Sequence, residues 1–293
     1  AAPDPRCTQP GPYPQRAIGL ASVVVCTRDR AEILPQALRS ILDSDHPQFE
    51  IVVVDNAPTT SDTRDVVDAI DDPRIRYVLE PRGGMSPARN AGFEAARGDF
   101  IVFTDDDVRV ERSWLRDLLN GFTRAEHVGC ATGLVVGAEL ATPAQWYFES
   151  RVNWSKLLET RIYDLDRHRD DDPMFPFRAG RYGTGANFAV TRETYRSLGG
   201  MDLALGAGTP TLNGEDLDFF LRVLLSGRAL AVESRAVVWH WHRREVDALN
   251  RQMRAYGVGL SAYATKHLLN PRTMPAIARR IPAALAAVVG DTQ

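Results

Sequence analysis

Between Ala21 and Thr104 short apolar runs alternate with amphipathic segments, and this order restricts the fold more than any other feature of the chain. Strands are expected at Ala21–Cys26, Glu50–Val54, Ile75–Leu79 and Phe100–Thr104, with helices near Ala31–Leu42, Ser61–Ile70 and Pro87–Arg97. The third helix carries its own end signals: Ser86 as N-cap, Pro87 at the first helical position and Gly98 just past the end. Such a β-α-β-α order predicts an α/β chain with a mainly parallel central sheet and helices on both faces. Ligands of an open parallel sheet sit beyond the carboxyl ends of its strands, so those ends are where chemistry should be sought.

The alternation stops after Val136. Glu139–Arg181 mixes Trp146, Tyr147, Phe148 and Trp154 with a polar run, and is expected to be an insertion outside the sheet scaffold. Order returns with the strand GANFAV (185–190), a glycine-rich stretch from Leu198 to Gly214, and a helix from Glu215. In that helix Leu217, Phe220, Leu221 and Leu224 form one buried stripe at i, i+3, i+4 and i+7, and Gly227 closes it.

The 293 residues can bury a large core, as one α/β domain or as a domain with an appendage. A formal charge of −3 makes no electrostatic case for nucleic acid. Cys7, Cys26 and Cys130 are odd in number and widely spaced, which fits a reducing, intracellular compartment. No run reaches the roughly 18 apolar residues of a membrane span, and the opening residues lack a signal-peptide pattern. Met274–Gly290 pairs two arginines with an Ala/Val/Ile face: it suits a helix packed on the body, or one lying on anionic lipid.

Three expected strand ends carry candidate groups. Thr27, Arg28, Asp29 and Arg30 follow the first strand, Asp55 and Asn56 the second, and Asp105, Asp106 and Asp107 the strand FIVFT. Repulsion makes a carboxylate triple unfavourable without a cation or hydrogen-bond donors. Hard divalent ions take carboxylate oxygens, and a D-x-D spacing lets Asp105 and Asp107 project to one side while Asp106 faces elsewhere. The run Asp170–Pro173 repeats the letters in a polar context and is expected to be an exposed loop.

In WHWHRR (239–244), strand alternation places His240 and His242 on one face, where either could join a carboxylate-held metal. In NGEDLDFF, Glu215 and Asp216 occupy the first turn of a helix, which favours negative charge. Asp216, following a flexible glycine-rich loop, suits a general base for a hydroxyl nucleophile.

Taken in order, VVVCTRDR, VVVDN, PARNAG, FTDDD, GTGANFAV, GEDLDFFLR and VVWHWHRR resemble the family 2 glycosyltransferases of GT-A fold, over roughly Ala21 to Gly259. The bacterial non-processive members are the most similar. The resemblance implies an inverting, metal-dependent transferase using a nucleotide-sugar donor, with a UDP-sugar expected, and Mn2+ or Mg2+ as cofactor. It implies that Thr27 and Asp55 hold the base and ribose with Arg28 close by, that Arg89 lies near the nucleotide or diphosphate, and that Asp105 and Asp107 contact ribose and metal. Asp106 is placed at the same cofactor edge, holding a basic neighbour. Asp216 matches the catalytic base, Glu215 an acceptor-site residue, and a histidine of the WHWH run, His240 in preference to His242, a later metal ligand.

The implied organisation is a Pro-rich arm at 1–17, a nucleotide-sugar-binding half at 18–136, an acceptor-binding and catalytic half at 137–243 and a C-terminal helical extension at 244–293. The implied acceptor is a carbohydrate, a lipid-linked glycan or a small-molecule natural product, and the implied location cytoplasmic, with a peripheral contact at the inner membrane face through the C-terminal helix. There are departures. RQMRAYGVG (251–259) does not match the Q-x-x-R-W signature of processive relatives, and VVVDNA has one carboxylate fewer than the commoner D-D-G-S form. Two other readings are a nucleotide-sugar-forming nucleotidyltransferase, for which CTRDRAE lacks the glycine-rich basic loop, and a non-catalytic nucleotide- or sugar-binding module, which would be expected to lack the metal carboxylates or the base.

Overall fold

A computed structural model describes residues 19–284 except 153 and 157. The first half follows the expected alternation: β1 (Ala21–Thr27), α1 (Leu34–Leu42), β2 (Phe49–Asn56), α2 (Asp62–Asp68), β3 (Ile75–Glu80), α3 (Met85–Ala95) and β4 (Phe100–Thr104). β1 and β2 are buried along their whole length, as expected of near-continuous apolar runs between two helical layers. Then come β5 (Val108–Val110), α4 (Trp114–Asn120), β6 (Val128–Gly137), α5 (Pro143–Arg151), β7 (Arg161–Tyr163), β8 (Asn187–Thr191) and α6 (Arg192–Ser197). The last elements are α7 (Glu215–Leu225), β9 (Ala229–His240), α8 (Val246–Leu269) and α9 (Met274–Ala278).

Among the described residues nine strands form one sheet in the order β3-β2-β1-β4-β8-β6-β9-β5, with β7 on the side of β9. The pairs β3-β2, β2-β1 and β1-β4 are parallel, as the alternation predicts. β8 then runs antiparallel to both β4 and β6, so the second half is mixed; β6 and β9 are parallel, and β5 and β7 are antiparallel to β9. The sheet is continuous across the expected boundary at 136/137. One apolar cluster, including Leu38, Trp114 and Leu118, packs beside a second built on Phe103, Phe188 and Phe220.

Several expectations are corrected. α3 begins at Met85, two residues earlier than expected, because Gly84, at φ 132°, turns the chain there; Ser86 donates to the Leu205 carbonyl (2.8 Å) instead of capping. The Glu139–Arg181 segment is not wholly outside the scaffold, since β7 pairs with β9 from Arg161 to Tyr163. Nor is Asp170–Pro173 a simple solvated loop: the Asp172 side chain is 2% exposed and accepts from Arg178 (2.9 Å) and Arg181 (2.8 Å). The 1–17 arm lies outside the described residues, and of Met274–Gly290 only the part to residue 284 lies within them. Cys26 and Cys130 are buried free thiols. Among the described residues no helix is long and apolar enough to cross a membrane.

Candidate functional site

Strand register brings the candidate groups to one edge. Thr27 at the end of β1 pairs with Asp55 at the end of β2, and β4 lies on the other side of β1 with Thr104 opposite Val25. The chain leaves β4 through Asp105–Asp107 and at once forms β5, whose Val108 lies opposite His240 of β9. Trp241 N donates to the Asp107 carbonyl (3.1 Å), locking that register. A pairing between residues more than 100 apart thereby sets an imidazole beside two carboxylates.

A cavity of about 930 Å³ covers this edge, and all the predicted site residues line it except Asp55 and His242. His240 Nε2 is 3.2 Å from Asp107 Oδ1 and 3.8 Å from Asp105 Oδ2. One ligand atom from each of Asp105, Asp107 and His240 lies within 4.8 Å of the others, a group able to hold a metal ion. Burial and the charge of Asp107 push Asp105 up, with His240 opposing. Burial also acts to raise Asp107, but His240 and Arg30 outweigh it and hold Asp107 well below the usual carboxylate range.

Asp106 turns into the protein. It accepts from the Thr27 hydroxyl (2.7 Å) and from Arg30 Nη1 (2.7 Å), while Arg30 Nη2 reaches Asp107 (2.8 Å). Burial still raises Asp106 to about 6. Arg30 is the basic neighbour of Asp106, a residue whose place at the end of β1 was visible but whose partner was not. Arg28 sits half-exposed at the rim.

Asp55 is wholly buried: one carboxylate oxygen accepts from Tyr77 Oη (2.9 Å), and Oδ1 has no hydrogen-bond partner among the described residues. Its neighbour Asn56 takes the place on the cavity wall, accepting from Gly84 N (2.8 Å) and donating to the Arg82 carbonyl (2.7 Å). His242 is drawn away from the carboxylates; its side chain is 1% exposed, with Nε2 3.0 Å from Glu149 Oε2 and the ring against Phe148. Trp154 packs against both histidines, edge-on to His240 at 5.3 Å and 6.0 Å from His242, while the two imidazoles lie 5.3 Å apart.

The N-terminus of α7 also lines the cavity. Asp216, half-buried, accepts from Gly185 N (2.8 Å) through Oδ2 and from Leu217 N (2.8 Å) through Oδ1. Glu215 is buried against Arg89, with Nη1 to Oε1 at 2.9 Å, and Arg89 Nη2 donates to the Gly185 carbonyl (3.0 Å). Burial and the Asp216 charge push Glu215 up to about 7, with Arg89 opposing. One turn on, Asp218 accepts from Arg222 Nε (2.6 Å) and lies 3.0 Å from His267 Nε2, tying α7 to the end of α8. Sequence reasoning missed the face of α8 that lines the cavity through Ala248, Arg251, Gln252, Ala255, Tyr256 and Leu260. The face mixes Ala, Arg, Gln, Tyr and Leu, so no residue pattern in the sequence marks it.

An α/β sheet with carboxylates and an imidazole beyond its strand ends, lining one cavity with further carboxylates, has the architecture of the GT-A glycosyltransferases. The sequence profile of Glycosyl transferase family 2 matches residues 22–183, more than half of the chain. The chain belongs to that family. It is 28% identical over 247 residues to the pre-mycofactocin glycosyltransferase of Mycobacterium tuberculosis, a match covering 84% of this chain and 48% of that protein. The chain spans about half the length of the first curated relatives it matches. Among solved structures, the Pyrobaculum calidifontis mannosyltransferase PcManGT, in complex with GDP-Man and Mn2+, shares the fold at TM-score 0.55 and 20% identity, over 91% of this chain and 75% of that one. S. aureus TarS 1-349, in complex with UDP-GlcNAc, shares it at TM-score 0.59 and 16% identity, over 90% and 71%.

Proposed function

We propose that the chain is an enzyme that transfers a sugar from a nucleoside-diphosphate sugar to a hydroxyl acceptor, with inversion at the anomeric carbon and with a divalent cation, Mn2+ or Mg2+. The observation that carries this reading is the convergence of Asp105, Asp107 and His240 within 4.8 Å of one another on the cavity that Asp216 also lines. Two carboxylates and an imidazole are a donor set suited to Mn2+. The repulsion that raises Asp105 is the kind a cation relieves. Asp105, Asp107 and His240 would hold the ion; when bound, it supplies positive charge against the diphosphate leaving group.

The chain's own residues have separate tasks. Arg30 fixes Asp106 and Asp107 in place, so the acidic edge is formed before a donor arrives. Thr27, Arg28, Asn56 and Asp55 surround the end of the first two strands, where the nucleoside end of the donor is assigned. Asp216 takes the proton from the acceptor hydroxyl as that oxygen attacks the anomeric carbon, and one carboxylate acting on one nucleophile is what a single, inverting displacement needs. Glu215 and Arg89 hold Gly185 and the start of α7, and hence the aim of Asp216. The acceptor is a sugar or other hydroxyl compound entering past Trp154 and the 206–214 loop.

The test is to incubate the protein with Mn2+, a panel of nucleotide sugars and hydroxyl acceptors, following nucleoside diphosphate release. Asp216→Asn should lower kcat by roughly 10²- to 10⁴-fold, and Asp107→Ala should abolish Mn2+-dependent donor binding. Full turnover by Asp216→Asn would refute the assignment of the base.

A further inference from the structure

The cavity-facing side of α8 contains a polar pair with unused hydrogen-bonding capacity. Gln252 donates through Nε2 to Tyr256 Oη at 3.0 Å, one turn along the helix, and Gln252 Oε1 is buried with no partner among the described residues. A buried amide oxygen left unsatisfied is costly, and nearly all such groups in folded proteins have a partner. Both residues line the cavity. The natural complement is a hydroxyl hydrogen on a bound molecule. Tyr256 Oη, accepting from Gln252, still has its own proton to give.

The pair is also held in place. Tyr256 stands within an aromatic cluster, its ring 6.3 Å from Phe148 and 6.4 Å from Trp154. One turn beyond it Gly259 crosses the segment before α7 so closely that a Cβ there would lie 2.5 Å from Asn213 Cβ, and a Cβ on Gly214 would lie 2.8 Å from the Gly259 carbonyl oxygen. α8 is thereby fixed against the segment that leads into Asp216. Burial pushes the Tyr256 phenol well above its ordinary value, and the Asp216 and Asp105 carboxylates push it the same way. The hydroxyl therefore feels both the proposed base and the proposed cation edge. In a single displacement the ring being transferred lies between those two groups.

We propose that Gln252 and Tyr256 form the subsite for the hydroxyls of the transferred sugar, Gln252 Oε1 accepting from one ring hydroxyl and Tyr256 Oη donating to a neighbouring one. The assignment rests on the glycosyl-transfer reading above and adds to it the residues that select the sugar. The ligand class is a pyranose with adjacent free hydroxyls, attached to a nucleoside diphosphate.

Calorimetric titration separates the sugar from the nucleotide. UDP- and GDP-sugars are titrated in the presence of Mn2+ into the wild-type chain, Gln252→Leu and Tyr256→Phe, with UDP and GDP as sugar-free probes; unfolding temperatures show that the variants are folded. Gln252→Leu should bind the preferred nucleotide sugar roughly 5- to 100-fold more weakly while binding the free diphosphate within about twofold of wild type. Tyr256→Phe should show the same selectivity with a smaller loss. Equal weakening of both ligands, or no change in either, overturns the subsite. If acceptor KM rises while donor binding holds, the pair belongs to the acceptor and the assignment to the transferred sugar fails. A wild-type chain that binds none of the donors overturns the transfer reading and this one together, an outcome distinct from failure of the variants alone.

Discussion

Replacing Arg89 by methionine asks how α7 is held at the cavity edge. Arg89 is 4% exposed and Glu215 6%, their charged atoms 2.9 Å apart, and the same guanidinium bonds the carbonyl of Gly185, whose N–H donates to Asp216. Methionine fills much of the volume but leaves Glu215 buried beside Asp216 with its opposite charge gone. Removing one partner of a buried pair costs about 3–5 kcal/mol, which for a chain of this size is a fall in Tm on the order of 10 °C. The loss should depend on pH. In the wild type Glu215 sits at about 7 against an ordinary 4.5, so it binds its proton more tightly when folded. Its contribution to stability therefore declines as pH rises from about 4.5 to about 7 and levels off above that. Without Arg89, which opposes the rise, the folded value moves further up. The deficit of Arg89→Met should accordingly be largest near pH 8 and small near pH 5. Urea unfolding across that range measures it, and Arg89→Met/Glu215→Gln should recover most of the loss at high pH. A deficit below about 1 kcal/mol at pH 8, or one that does not change with pH, would refute the argument, because the pair would then behave as a solvated surface bridge.

Two further outcomes follow from packing and charge. Gly92→Ala raises helix propensity, yet a Cβ there would be driven into Val24 and lie 3.1 Å from Val54 Cγ2; the variant should lose about 1–3 kcal/mol in denaturant unfolding, and a stabilised variant would mean that α3 can lift off the sheet. Burial works to raise Asp218, but His267, Arg222 and Lys266 hold it well below the usual carboxylate range. Its stabilisation is present above the unfolded value of 3.8 and is lost as pH falls below that. Asp218→Asn should thus be less stable at pH 7 while losing less on acidification than wild type, as followed by guanidinium unfolding at a series of pH values.

Much of the first half was legible because its determinants are local. Val23–Val25 and Ile51–Val54 are apolar without a break and so had to be buried strands, and their polar exits, Thr27 and Asp55, had to fall at one edge. The Glu215–Leu225 helix was legible for the same reason, from the spacing of its apolar stripe and from Gly227. What escaped depends on contacts far apart in the chain. Strand alternation treats His240 and His242 alike; only the pairing of Val108 with His240 and the position of Glu149 against His242 separate them. β7 is three residues long and borrows its order from β9. The cavity face of α8 mixes Ala, Arg, Gln and Tyr, so it has neither the apolar stripe of a core helix nor the uniform polarity of a solvated one.

The three carboxylates after β4 now divide by the company each keeps. Asp106 accepts from Thr27 and Arg30, which partly offset its burial, and Asp107 is paired with Arg30 and His240. Asp105 has an imidazole at 3.8 Å, and burial and Asp107 both work against its charge. Arg30 also spans from the end of β1 to two consecutive residues of the turn, so a planar fork, which lysine could not reproduce, fixes the direction in which Asp105 and Asp107 emerge. The middle carboxylate is then a strut, and the outer two are the proposed metal donors. That division explains how three acids can follow one another at a buried sheet edge: Asp106 and Asp107 have partners within the chain, and a dication beside His240 would offset the remaining charge of Asp105 and Asp107.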